Sequence, residues 1–232
     1  FLDGLLANRL PDRQGAIRLA HALNQKGGVR SEFTIMCDGP DSFYLVSSGA
    51  AERYDHDFLL RRAPDDGSVV IENVTPRHGV LVIAGPRARD ILQKTTDSDL
   101  SNGAFPWLTG QDIHVGLAPA RAMRINFVGD LGWELHHPIE YQLHIFDALA
   151  RAGDEFDMGF CGMRAMDSLR LEKSYRMWGQ DLTREYTILE AGLGRFVDFD
   201  KGDFVGRDAL VSQRDAGVPQ AFVTLDVDID GP

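Results

Sequence analysis

The sequence predicts an α+β fold of mixed, mainly antiparallel sheets with flanking helices. Three observations predict it. Strand-like runs come in pairs joined by short turns, the pattern of hairpins. Helical patterns fall among them without the regular strand–helix alternation of a doubly wound parallel sheet. The chain has 232 residues, 44% hydrophobic and 25% charged, which suits one large domain or two small ones with a sizeable core.

The elements follow in order. Residues 1–10 place Phe1, Leu2, Leu5, Leu6 and Leu10 at helical spacing, and Pro11 stops them. Residues 15–25 read as a short helix or an extended piece, ended by Gly27 and Gly28. The runs EFTIMC (32–37) and SFYLVSS (42–48) read as a hairpin across the turn DGPD (38–41). Residues 49–62 read as a helix, and VVIENV (69–74) and GVLVIAG (79–85) as strands. GPRARDILQKT reads as a helix with Pro86 near its first turn. A second hairpin is expected over 111–117 and 121–128, with Pro119 in its turn, followed by the strand WELHH (133–137). Residues 139–152 form an amphipathic pattern, 161–175 is rich in helix formers, and a last strand is expected at 221–229.

Composition excludes several classes. A net charge of −11 argues against nucleic acid and anionic membranes as partners. No apolar run approaches the ~20 residues of a membrane helix, and the opening FLDGLLANRLPDR lacks the layout of a signal peptide. Cys37 and Cys161 have no CxxC spacing and read as reduced, buried thiols of a cytosolic or matrix-like compartment. There is no GxxxxGK[ST], no GxGxxG after a strand and no GxSxG, and GLGR (192–195) is too short for a phosphate loop. His136 and His137 are adjacent in a strand, so they face opposite ways and cannot chelate one ion. The chain starts at Phe1 within a helical pattern and ends just after an alternating run, the expectation for a piece of a longer protein.

Five longer strings remain. GGVRSEFTI (27–35) puts Glu32 at the start of a strand. FYLVSSGAAERYDHDFL (43–59) runs from a strand into a helix. INFVGDLGWELHHP (125–138) carries Glu134 between Trp133 and Leu135, just after a glycine turn. A charge there needs a partner or a ligand if it is buried, whereas an exposed strand face would leave it ordinary. GMRAMDSLRLEKSYRMWGQDLT (162–183) is a helix leading to an aromatic loop, in which Asp167 and Arg170 read as a structural i,i+3 pair. LEAGLGRFVDFDKGDFVGRDAL (189–210) closes the series.

In order and spacing these strings resemble the aminomethyltransferase family, the T-protein of the glycine cleavage system, over about residues 25–210. GGVRSEFTI resembles its Gly-Gly-x-x-Asp-Asp strand, GDLGWELHHP its GYTGE-GxEI segment, and GMRAMDSLRLEKSYRMWGQDL its GLxARDSLRLExGxxLYGxDI helix and loop. WGQDLT and DFDKGDFVGRDAL are closer still to the C-terminal folate domain of FAD-dependent dimethylglycine and sarcosine dehydrogenases. The resemblance implies a folate-binding domain over 1–205 and the beginning of a C-terminal barrel over 206–232.

The resemblance also implies roles. Tetrahydrofolate is the expected ligand, taking up a one-carbon unit derived from an N-methyl amine to give 5,10-methylenetetrahydrofolate. FAD is expected only in an upstream domain outside this chain. Glu134 stands where the family holds the pterin, a task suited to a carboxylate that accepts two parallel hydrogen bonds. Tyr44 and Val46 fall where the family packs the ring. Glu32 matches the family's catalytic Asp with one extra methylene, and Ser48 stands where T-proteins often carry Asn. The Arg that grips the folate tail matches Met166, so Arg164 and Arg176 are the candidates to replace it, and Trp178 either lines the folate cleft or caps the core. Rival readings are a free-standing aminomethyltransferase or demethylase of this fold and a catalytically silent folate-sensing domain. The expected location is the cytoplasm, or the mitochondrial matrix in a eukaryote.

Overall fold

The computed structural model describes residues 1–228. Its strands are β1 (Ile17–Leu23), β2 (Val29–Gly39), β3 (Ser42–Val46), β4 (His78–Ala84), β5 (Gly110–Val115), β6 (Ala118–Met123) and β7 (Gly132–Pro138). Its helices are α1 (Leu2–Leu5), α2 (Glu52–Leu60), α3 (Ala88–Gln93), α4 (Gln142–Gly153), α5 (Met163–Glu172) and α6 (Arg207–Ala216). The strands form a three-stranded sheet, β1-β2-β3, and a four-stranded sheet, β4-β7-β6-β5. All the pairings within the four-stranded sheet are antiparallel, as the hairpin pattern requires.

The chain forms two compact units. One contains Phe1–Leu10, Leu19–Thr34 and the chain from Ser174 on. The other contains Pro11–Arg18 and Ile35–Lys173.

The core of the first unit is Ala7, Leu23, Val29, Leu182, Ile188, Ala191, Leu193, Phe204 and Leu210, with Trp178 packed against it. The expected helix over 1–10 shrinks to α1 because Leu6 and Ala7 are spent on strand-like pairing. Leu6 bridges Ala22, and the Ala7 N–H donates to the His21 carbonyl at 2.9 Å. The ambiguous 15–25 segment is extended. Gly28 is needed where it stands: an added Cβ would lie 2.3 Å from the Arg184 carbonyl oxygen. The expected strand at 221–229 is not formed over 221–228, and residue 229 lies outside the described residues. No closed barrel occurs among the described residues.

The second unit is built on the four-stranded sheet. Trp133 and Leu135 of β7, both wholly buried, pack with Ile145 and Leu149 of α4 and Ile91 and Leu92 of α3. In α4 the buried residues Ile145, Leu149 and Gly153 recur every fourth position, the stripe that makes this segment a helix against a sheet. The β2–β3 hairpin forms as expected. The second hairpin differs in its turn, which is Gly116 and Leu117, while Pro119 lies inside β6 opposite His114. β7 pairs only with Arg121–Met123 of β6, so the N–H that Pro119 lacks is not called on from that side. VVIENV (69–74) makes no strand. Val70 is 90% exposed, and an alternating run without a covered face gains too little to pair.

Candidate functional site

β7 presents two faces. Trp133, Leu135 and His137 point toward the helices, where His137 meets the Leu135 carbonyl at 2.9 Å and the Gln142 side chain at 2.8 Å. Glu134 and His136 point the other way, so the expectation that the two histidines diverge is met. Gly132 sets up this strand. A Cβ there would lie 2.4 Å from the Ile83 carbonyl oxygen and 2.9 Å from the Ala84 Cα, so the strand starts at a residue without a side chain.

On that second face three side chains form a hydrogen-bonded chain. His136 Nε2 lies 3.3 Å from Glu134 Oε2, and His136 Nδ1 lies 3.2 Å from the Tyr44 hydroxyl. An ionised carboxylate only accepts, so Nε2 carries the proton. In the neutral ring Nδ1 then accepts from the phenol. The Tyr44 and His136 rings meet edge to face, 5.5 Å between centroids at 86°. Arg121 lies over the Tyr44 ring at 4.8 Å, donating to Asp38 at 3.0 Å and Asp112 at 3.1 Å. Burial pushes the Tyr44 phenol above its ordinary value. The Arg121 charge opposes that shift, and the Asp38 and Glu134 carboxylates add to it.

Glu134 is half-buried, with its side chain 19% exposed. Its register partners on either side are Val82 and Met123. Directly opposed residues share a face, so Val82, and Val80 opposite His136, stand open to solvent beside the carboxylate. The result is a fixed acceptor at the edge of an apolar strip. Such a site can take the N–H edge of a flat heterocycle. Val46 packs with Tyr44 against Ile17, Met36 and Met123. Ser48 is exposed just before a single 3₁₀ turn and caps nothing with its side chain. Arg164 is exposed on α5.

The other predicted site residues belong to the first unit. Glu32, 22% exposed at its side chain, bonds the wholly buried His21 at 2.9 Å. The Trp178 indole N–H donates to the Arg30 carbonyl at 3.0 Å, and its half-buried ring packs against the core of this unit. Arg176 donates to the Ser174 carbonyl and to the Phe222 carbonyl at 3.1 Å, with the Phe222 ring beneath it at 5.0 Å. The Asp167–Arg170 pair is present, at 2.7 Å through Arg170 Nε, and its arginine is buried rather than superficial. Cys37 is buried as expected, but Cys161 is exposed, because it precedes α5 in a stretch without a covering layer.

His136, His21 and Arg121 carry this geometry and were not singled out as site residues from the sequence. The Glu-x-His spacing on one strand face was the available signal for His136. Nothing local marks His21, eleven residues before Glu32. Among the described residues no three His, Cys, Asp or Glu side chains gather as a metal site, and no helix is long and apolar enough to cross a membrane.

Antiparallel sheets, their flanking helices and the order of the strings define an aminomethyltransferase-type fold, and the chain belongs to the GCVT N-terminal domain family, which matches residues 1–201. It is 38% identical to human mitochondrial dimethylglycine dehydrogenase over all of this chain and 27% of that protein. It is 33% identical to the aminomethyltransferase of Caldanaerobacter subterraneus subsp. tengcongensis, over 98% of this chain and 60% of that one. The chain thus spans about a quarter of the dehydrogenase and three fifths of the bacterial relative. Its fold matches the glycine cleavage system aminomethyltransferase T of Bartonella henselae with a TM-score of 0.76 at 23% identity, covering 93% of this chain and 58% of that one.

Proposed function

We propose that the chain binds tetrahydrofolate and serves one-carbon transfer, as a module of an FAD-dependent dehydrogenase of N-methyl amines such as dimethylglycine or sarcosine. Residues 206–232 would then lead toward a further domain, and in a eukaryote the protein would work in the mitochondrial matrix.

One observation carries this reading. Glu134 is a half-buried carboxylate whose direction is set by His136 and Tyr44, and it stands beside exposed valines. The pterin of tetrahydrofolate offers the complementary shape, a flat apolar face and an edge of N–H donors. Bound there, the folate would supply the nitrogens that accept the one-carbon unit. Glu134 would orient the ring, Tyr44 and Val46 would flank it, and Ser48 would lie at the rim. In the first unit, considered by itself, Glu32 is the residue that the family resemblance makes the acidic group of the transfer step. Arg164, the more open of the two candidate arginines, would meet the anionic tail. FAD is assigned to a domain outside this chain, and no residue here is assigned to it.

The test is calorimetric titration of the full-length protein with a stable reduced folate. Charge-assisted hydrogen bonds contribute about 1.5–3 kcal/mol each. Glu134→Gln should therefore weaken binding by roughly 10- to 100-fold, and an unchanged affinity would defeat the proposal. A second reading, a catalytically silent folate-sensing domain, is favoured by Met166 in place of a tail-binding arginine and by the internal bonds of Arg176. Binding of reduced folate without methylene transfer by the full-length protein selects it.

A further inference from the structure

We propose that His21 is a positioning residue for Glu32, holding that carboxylate in one rotamer for the transfer step. This rests on the folate-transfer reading above.

His21 is wholly buried on β1, with Nε2 2.9 Å from Glu32 Oε2 on β2. The other ring nitrogen, Nδ1, is buried and has no hydrogen-bond partner. The Phe196 ring lies beside the imidazole, 5.9 Å between centroids. These facts select a tautomer of the neutral ring. A proton on Nδ1 would strand a buried donor. The Nε2–H tautomer donates to Glu32 instead and leaves only a lone pair unpartnered at Nδ1.

The tie answers a specific problem in this sequence. Glu32 stands where the resemblance implies the shorter Asp, and the extra methylene adds a torsion as well as reach. A free Glu would spread its charge over several rotamers, and ordering it costs conformational entropy. A rigid, buried imidazole bonded to one oxygen removes that freedom before any ligand arrives. The second oxygen stays available to a cationic centre, on a side chain that keeps 22% of its surface open.

The test uses the full-length protein and two variants. His21→Leu removes the donor, and His21→Gln places an amide N–H where Nε2 stood. A misplaced catalytic group can lower a rate by about 100-fold. With His21→Leu, kcat for methylene transfer to tetrahydrofolate should fall by roughly 10- to 100-fold at unchanged reduced-folate affinity. With His21→Gln, most of the rate should return. Nitrogen NMR of ¹⁵N-histidine protein, with His21 assigned by its loss in the Gln variant, should show the Nε2–H tautomer. A wild-type rate in His21→Leu, no recovery in a folded His21→Gln, or a protonated Nδ1 would each overturn the proposal. If His21→Leu does not fold, the Gln variant and the tautomer decide. If the wild-type protein transfers no methylene, the folate reading is what fails, and the tautomer still reports whether His21 holds Glu32.

Discussion

Replacing Tyr44 by Phe deletes one oxygen and leaves the ring in place. The edge-to-face contact with His136 and the Arg121 stack do not need that oxygen, so the phenol hydrogen bond is the contact removed. A neutral hydrogen bond contributes about 0.5–1.5 kcal/mol net, and leaving a buried partner unsatisfied raises the cost to about 1–3 kcal/mol. His136 is only 3% exposed, so water does not readily replace the phenol, but at 3.2 Å the bond is a long one. These two facts pull in opposite directions and place the loss near 1–2 kcal/mol. In urea, with a slope of about 1–3 kcal/mol/M, the unfolding midpoint of the second unit should drop by roughly 0.5–1 M. His136→Phe should cost more, since it also takes the Nε2–H from Glu134. The double variant should fall short of additivity by roughly 0.5–1.5 kcal/mol. An unmoved midpoint in Tyr44→Phe, or strict additivity, would refute the hydrogen-bonded chain from phenol to carboxylate.

Other outcomes follow from the same geometry. Because the folded Tyr44 phenol is raised above its ordinary value of 10.0, its contribution to stability is complete below that pH and is lost as pH rises through the higher folded value. Phenolate absorbance of Tyr44 should therefore appear late in an alkaline titration, and later still in Arg121→Met, which removes the opposing positive charge; an earlier transition in the variant would count against it. Gly132→Ala forces a Cβ against the main chain of β4, which cannot yield like a side chain, so thermal unfolding should register a loss of about 1–3 kcal/mol. Arg164→Ala should weaken reduced-folate binding with little change in stability, whereas Arg176→Ala should loosen the chain around Phe222 to limited proteolysis and leave folate affinity nearly intact. The reverse pattern in calorimetry would reassign the tail contact to Arg176.

The fold class was legible because it rests on local periodicity. The β2–β3 hairpin, β7 and α4 each announce themselves through alternation or a fourfold stripe, and each forms near its expected bounds. Local pattern misled where the outcome turns on whether a covering layer exists. VVIENV has the residues of a strand and no face to bury, and Leu6 and Ala7 are recruited by Ala22 and His21 rather than by the helix they could extend. Pro119 looked like a turn because its missing N–H bars most strand interiors, yet β7 stops short of the place where that N–H would be called on.

By itself the sequence determined the α+β class and the order of the family strings, and it singled out Glu134 and Glu32 as candidates, since residue type and spacing are written along the chain. What each carboxylate touches was decided only in three dimensions. His21 and Tyr44 are eleven and ninety-two residues from Glu32 and His136, their respective hydrogen-bond partners. Periodicity reports which way a side chain faces on its own strand, whereas a hydrogen bond depends on which distant strand the fold lays beside it.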